Sequence, residues 1–225
     1  MLTSPLFYGI IIIGQNILTR GDMMNLVELF KQRTGRTGFY NIMPIGNLES
    51  VIERGILSNE RAKSIKHSSV AMAEIQGRRD LVMVPNGRAL HEYANLYFDP
   101  RNPMMFKRRY EDICVLKINP EIIYTPGSVV TDQNASSKYA QFNEPADGLS
   151  VLNCKLVYAE DWTDDDYFAY LKKKSHKCAE VLVPDRVPPE FIEAVAVKNT
   201  HDKERVTSLV HSNIIVCVRP NLFFI

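Results

Sequence analysis

The chain has 225 residues, 45% hydrophobic and 24% charged, with a formal net charge of +1. That length supports one domain with a sizeable core, and a nearly even charge gives no global field for nucleic acid, so such a partner must be held by local patches. Four cysteines (Cys114, Cys154, Cys178, Cys217) with no Cys-x-x-Cys pair, and five scattered histidines, exclude a zinc signature and read as reduced thiols in a cytoplasmic protein with no metal.

The apolar run Leu6–Ile13 is too short for a bilayer, which takes about 20 apolar residues, and no Lys or Arg precedes Arg20 to form a signal peptide. It reads as a strand or packed extension of a protein with no membrane span, and Met23 or Met24 offers an alternative start. Asp22 is placed to cap a helix over about 23–31 with Leu26, Leu29 and Phe30 on one face. The polar, glycine-containing run 32–38 reads as a linker. Residues 1–38 are thus expected to be an N-terminal extension and 39–225 the core domain. Phe39–Met43 predicts a strand ended by Pro44, and Asn47 a cap for a short helix carrying Leu48, Val51 and Ile52 as far as Gly55. A second helix with Val70, Ala73 and Ile75 is expected over 68–77, which leaves Arg78 and Arg79 just past its C-terminus.

The densest chemistry lies between Gln76 and Met105. A Pro85-Asn86-Gly87 turn and a Pro100-Arg101-Asn102-Pro103 kink bracket His91, Tyr93, Tyr97 and Phe98. Side chains that bond, stack or titrate, held between two breaks, suit a binding site. Branched runs then predict strands at Ile113–Ile118, Lys155–Tyr158, Ala179–Val183, Ile192–Val197 and Ile214–Val218. The polar stretch 125–147 reads as a long surface loop. Trp162-Thr163-Asp164-Asp165-Asp166-Tyr167 reads as a helix start, with Thr163 as cap and Trp162 stapled onto Tyr167. Lys172, Lys173 and Lys174 close that helix, and its dipole alone explains both charge runs. The fold class is α+β, with a central mixed or antiparallel sheet and short flanking helices.

Glu180 is the most informative carboxylate. Alternation puts Cys178, Glu180 and Leu182 on one face of its strand, and Ala179, Val181 and Val183 on the other. An acid among apolar neighbours costs desolvation energy unless it is paired with Lys or Arg or lines a cleft. Arg79, His91, Tyr93, Tyr97 and Phe98 each have an ordinary structural reading as helix-end, half-buried or core residues. From these residues alone one obtains an anion-suited, aromatic-lined cleft and no named reaction.

In order along the chain, however, these pieces carry a resemblance. Phe39-Tyr40-Asn41-Ile42, Asn47-Leu48-x-x-Val51-Ile52 and Gly55-Ile56-Leu57 resemble the opening of the DarT family of DNA ADP-ribosyltransferase toxins. Ile75-Gln76-Gly77-Arg78-Arg79, Leu90-His91-Glu92-Tyr93 and Tyr97-Phe98-x-Pro100-Arg101-x-Pro103-Met104 are similar to its central block. Ala179-Glu180-x-Leu182-Val183 is similar to its catalytic-glutamate strand, and the Pro220–Phe224 tail also matches. The resemblance implies an ADP-ribosyltransferase fold, NAD⁺ as donor and single-stranded DNA as acceptor, with Glu180 and Arg79 as the catalytic pair. It places Tyr40, Asn41, Asn47, Leu48, Arg79, His91 and Tyr97 at NAD⁺. Arg78, Phe142, Lys172, Lys173, Lys174, His176 and Lys177 are expected at DNA. A macrodomain antitoxin of the DarG type and a monomeric state complete the expectation. The chain departs from the family pattern at Asn41, where histidine is common, at Met43, where threonine is common, at Asn134, where some members carry histidine, and in a lysine-rich rather than arginine-rich segment before Glu180. RNA or protein as acceptor, and a non-catalytic nucleic-acid-binding module, remain the rival readings.

Overall fold

A computed structural model describes residues 25–69, 73–85 and 87–225. Leu6–Ile13, Asp22, Met23, Met24, Val70 and Asn86 lie outside the described residues. The strands are β1 (Phe39–Pro44), β2 (Ile56–Leu57), β3 (Tyr93–Tyr97), β4 (Ile113–Ile118), β5 (Val129–Thr131), β6 (Phe142–Asn143), β7 (Glu180–Pro184), β8 (Arg186–Val187), β9 (Ile192–Val197) and β10 (Ile215–Val218). The helices are α1 (Leu26–Thr34), α2 (Leu48–Arg54), α3 (Asn59–Ala62), α4 (Ala73–Arg79), α5 (Pro103–Arg108), α6 (Pro145–Val151), α7 (Cys154–Val157), α8 (Tyr167–His176) and α9 (Thr200–Thr207). Eight strands form one sheet in the order β10–β9–β4–β1–β3–β7–β5–β6, antiparallel throughout except between β9 and β10. The fold is therefore α+β with a mixed, mostly antiparallel sheet.

Both faces of the sheet are covered, which is why β4 and β7 read as nearly continuous apolar runs. One face carries the main core: Leu96, Val181, Val183, Leu116 and Ile118 pack with Phe30 of α1 and Leu149 of α6. On the other, Ile42, Tyr97, Val115 and Ala196 pack with Phe223 from the C-terminal tail. Gly148 lets α6 lie close to the sheet, since a Cβ there would stand 2.5 Å from the Val130 Cβ.

One junction in the sheet is weak, and the site follows from it. β1 pairs along its whole length with β4, and β3 with β7, but β1 and β3 share only the rung Tyr40–Tyr97. Beyond that rung the Asn41 side chain donates to the Asn95 carbonyl at 3.1 Å, where a backbone rung would otherwise stand. The sheet is split there.

Several expected elements move. The first helix starts at Leu26, with Asn25 accepting from the Glu28 amide at 3.0 Å, and runs to Thr34 before closing on Gly35 at φ 65°. The run 32–38 is thus in part helix: Arg33 donates to the Leu149 and Leu152 carbonyls at 3.2 Å each. Phe30 is fully buried, its ring 4.6 Å from that of Phe39. The expected strand Lys155–Tyr158 falls instead on helix α7 and its C-cap Tyr158, with Asn153 capping the start by accepting from the Leu156 amide. The stretch 125–147 contains β5, β6 and the first turn of α6. Asn47 does not cap α2. Its amide instead grips the Ser68 backbone, donating to the carbonyl at 2.6 Å and accepting from the N–H at 2.9 Å. Asp166, not Thr163, caps α8, accepting from the Ala169 amide at 2.7 Å, and Trp162 packs on Phe106 and Phe224 instead of Tyr167.

The burial of Phe30 gives a direct test of how firmly α1 belongs to the domain. Phe30→Ala is expected to cost about 3–5 kcal/mol, read from the denaturant midpoint. A loss below about 0.5 kcal/mol, the size seen at surface positions, would mean a detachable extension.

Candidate active site

The split between β1 and β3 opens into a cleft of about 2090 Å³. Its floor holds Asn41, Ile42 and Met43 from β1 with Tyr93, Asn95 and Tyr97 from β3. Walls are added by α4, α5, α8, the loop 133–139 and Phe224 of the tail.

Arg79 lines this cleft and meets Glu180, which lies behind it and is not among the lining residues. Arg79 lies in the last turn of α4, not beyond it, and its Nη1 donates to both carboxylate oxygens of Glu180, at 3.1 and 3.2 Å. The Glu180 residue is 0% exposed and Arg79 7%. Glu180 opens β7 between two partners, Tyr97 of β3 on one side and Thr131 of β5 on the other. The Ala135 amide donates to Oε1 at 3.2 Å, so the carboxylate rests on a guanidinium and a backbone N–H. The Thr131 hydroxyl accepts from the Glu180 amide at 3.1 Å and holds the backbone in place. The acid on an apolar strand is thus paired, and Arg79 stands between it and the open cleft.

Face assignments along β7 follow the sequence alternation. Ala179, Val181 and Val183 enter the main core, while Cys178 and Leu182 join the clusters on the opposite face. Burial, and then the charge of Glu180, push the Cys178 thiol up to about 12. The same two causes raise the Tyr97 phenol. Both groups keep their protons through the physiological range, so Tyr97 remains a donor and Cys178 an uncharged thiol.

Of the expected contact residues, Asn41, Asn47, Arg78, His91, Tyr97, Lys172, Lys174 and His176 line the cleft together with Arg79. Arg78 also pairs with Glu74 at 2.5 Å, and His91 places Nε2 at 2.8 Å from an Asp80 carboxylate oxygen. Five others are elsewhere. Lys177 is buried, with Nζ on Asp99 and on the Val157 carbonyl at 3.1 Å, so it cannot offer its charge to a phosphate. Lys173 is turned to Asp164 at 2.8 Å and the Thr163 carbonyl. Phe142 is half-buried against the cluster around Leu182. Leu48 is sealed in the main core, which excludes a side-chain contact with any ligand. Tyr40 packs half-buried against the cluster of Ile42 and Tyr97 and is not among the cleft residues. Thr131 and Ala135, which hold Glu180, escaped notice because both act at or on the backbone. A polar tract facing a buried acid was the only available signal.

A family model described as "ssDNA thymidine ADP-ribosyltransferase, DarT" matches residues 40–224. The chain belongs to the DarT family. It is 30% identical over 195 residues to a DNA ADP-ribosyl transferase–DNA ADP-ribosyl glycohydrolase fusion protein of Thermosipho africanus, a match covering 83% of this chain and 49% of the fusion. The chain therefore spans about half the length of that relative. Thermus sp. 2.9 DarT in complex with ADP-ribosylated ssDNA superposes with a TM-score of 0.72 at 26% identity, covering 83% of this chain and 96% of that one. The same DarT in complex with carba-NAD⁺ gives 0.68 at 25% identity, covering 83% and 97%.

The closeness of the buried pair generates a stability test. Arg79→Ala strands a buried carboxylate and is expected to cost about 3–5 kcal/mol. Adding Glu180→Gln should return part of that loss in the same denaturation assay. Additive losses in the double variant would mean that the two groups do not depend on each other.

Proposed function

We propose that this chain transfers ADP-ribose from NAD⁺ to a thymidine base of single-stranded DNA, as an enzyme whose catalytic groups are Glu180 and Arg79. The observation that carries the proposal is the contact of these two residues, with Glu180 buried directly behind the Arg79 that lines a cleft built on the split between β1 and β3. Membership of the DarT family and the likeness to a DarT bound to ADP-ribosylated ssDNA supply the acceptor class.

NAD⁺ supplies a pyridine leaving group on a sugar that gains positive charge as the bond breaks, as in glycoside cleavage. The cleft suits it: Asn41, Asn95 and Tyr97 offer polar atoms on the floor, and the Arg79 guanidinium at the wall is a fork matched to phosphate or carboxylate. A carboxylate ~4 Å from a developing unit charge is worth on the order of 4 kcal/mol at an effective dielectric near 20. Glu180 can take the proton of the attacking base nitrogen, a step typically worth about 10²–10⁴-fold. Because Arg79 covers Glu180, the guanidinium either turns aside when the acceptor arrives or links it to the carboxylate through its own N–H groups. The Ala135 amide keeps Oε1 in place through either event.

Lys172 and Lys174 on α8, with Arg78 and His176, line the cleft and suit the phosphates of a strand lying across it. A single strand presents its bases without the cost of unpairing. The glycohydrolase half of the Thermosipho fusion motivates a partner that removes the mark, a macrodomain antitoxin of the DarG type. No helix among the described residues is long and apolar enough to cross a membrane. A monomer acting in the cytoplasm, where NAD⁺ and single strands meet, completes the proposal.

Incubation with NAD⁺ and separate pools of single-stranded DNA, RNA and protein is the test. A mass gain of one ADP-ribose on DNA is expected. A gain only on RNA or protein would move the acceptor, and no nicotinamide release from any pool would leave a binding module. Glu180→Ala should abolish transfer while NAD⁺ still binds, since the lost interaction belongs mainly to the transition state; retained turnover would remove Glu180 from its role. Lys172→Ala with Lys174→Ala should lower the salt slope of DNA binding by about 0.7 per lost contact. An unchanged slope would take α8 out of the DNA path.

A further inference from the structure

Three aromatic rings from distant parts of the chain converge on one wall of the cleft. Phe106 comes from α5, Trp162 from the turn before α8, and Phe224 from the C-terminal tail. Their centroids are 5.4 to 6.0 Å apart and each pair is close to perpendicular, at 79° to 89°. Phe106 is 44% exposed, and the Phe106 and Phe224 rings each carry a guanidinium over one face. Cations adjoin the group. The Arg101 guanidinium lies 4.1 Å from the Phe224 centroid, and that of Arg109 lies 3.9 Å from Phe106 and 4.5 Å from the 79%-exposed Tyr110. Two acids beside Trp162, Glu160 and Asp161, also line the cleft, and Asp161 is engaged in its own turn, accepting from the Thr163 amide and hydroxyl at 2.8 Å.

Phe224 sits at φ 62°, a left-handed conformation that a side chain bearing a Cβ rarely adopts. Such strain persists only where the surroundings hold it, here through Arg101, which also donates to the Asn221 carbonyl. The tail is thereby turned so that its penultimate ring completes the group.

We propose that Phe106, Trp162 and Phe224, with Arg101 and Arg109 beside them, form a stacking platform for nucleobases that flank the modified base on the same DNA strand. The reading rests on the DNA acceptor proposed above and adds a subsite to it. Alternating aromatic faces and guanidinium groups are what single-stranded nucleic acid needs, because every base has a π-face and every linkage a phosphate. The adenine of NAD⁺ is the competing source of a base. It would occupy one ring, whereas the aromatic and cationic groups continue past the end of α5 to Arg109 and Tyr110, as a strand requires.

Trp162 is the single tryptophan of the chain, so its fluorescence reports on the platform directly. A short oligothymidylate, added without NAD⁺, is expected to quench it. Phe106→Ala, at an exposed position, should weaken binding of that oligonucleotide on the order of 10-fold and leave NAD⁺ affinity within about twofold. Trp162→Ala should do the same, and the Phe106 variant keeps the test usable if that protein does not fold. Quenching by NAD⁺ alone would overturn the proposal in favour of adenine. Oligonucleotide binding with unquenched Trp162 would place the strand elsewhere and overturn it as well. Neither readout needs turnover: DNA transfer with unquenched Trp162 would sink the platform alone, and quenching without transfer would sink the reaction alone.

Discussion

The rest of the structure depends on a carboxylate and a guanidinium that share a nearly water-free position. Glu180 and Arg79 come from residues 101 positions apart. Each would be costly to bury alone, and each offsets the cost of burying the other. Glu180 is held on both sides by strands, by Tyr97 and Thr131, and from above by the Ala135 amide. Arg79 reaches it from the end of a short helix. A rigid acid faces a cation carried on a lighter element. That asymmetry suits a site in which the acid must stay fixed while its cover adjusts.

The split in the sheet is the second constraint. Strands that exchange a full ladder leave no room between them, and β1 and β3 are spared this after a single rung. Asn41 bridges the opening with its side chain, a solution that keeps a buried carbonyl satisfied without closing the gap. Aromatic rings and the α8 residues Lys172 and Lys174 line the cleft that results.

Much of this was legible in the sequence, and what was missed has physical causes. β4 and β9 could be read because branched runs bounded by Pro, Asn or Asp have few alternatives to strand, and β1 because Pro44 ends it. Lys155–Tyr158 could not, since a short segment with three apolar residues in a row fits either a helix turn or a strand and only the Asn153 cap decides it. β5 was hidden because three residues inside a polar tract carry almost no periodicity, and its pairing with β7 is a long-range event. Alternation correctly separated Glu180 from Val181 and Val183. Lys177 was misread because charge in a run looks solvated, whereas topology brings Asp99 to it and closes a buried pair. The identity of the Glu180 partner was beyond local patterning, and the family resemblance, not the spacing, pointed to Arg79.

The central claim is that Glu180 and Arg79 act as one unit in transfer. A double-mutant cycle on the rate of ADP-ribose transfer to single-stranded DNA, using Glu180→Gln, Arg79→Met and their combination, tests it most directly. The account predicts that the combined variant is no slower than the worse of the two single variants. Losses that multiply would mean independent action and contradict it.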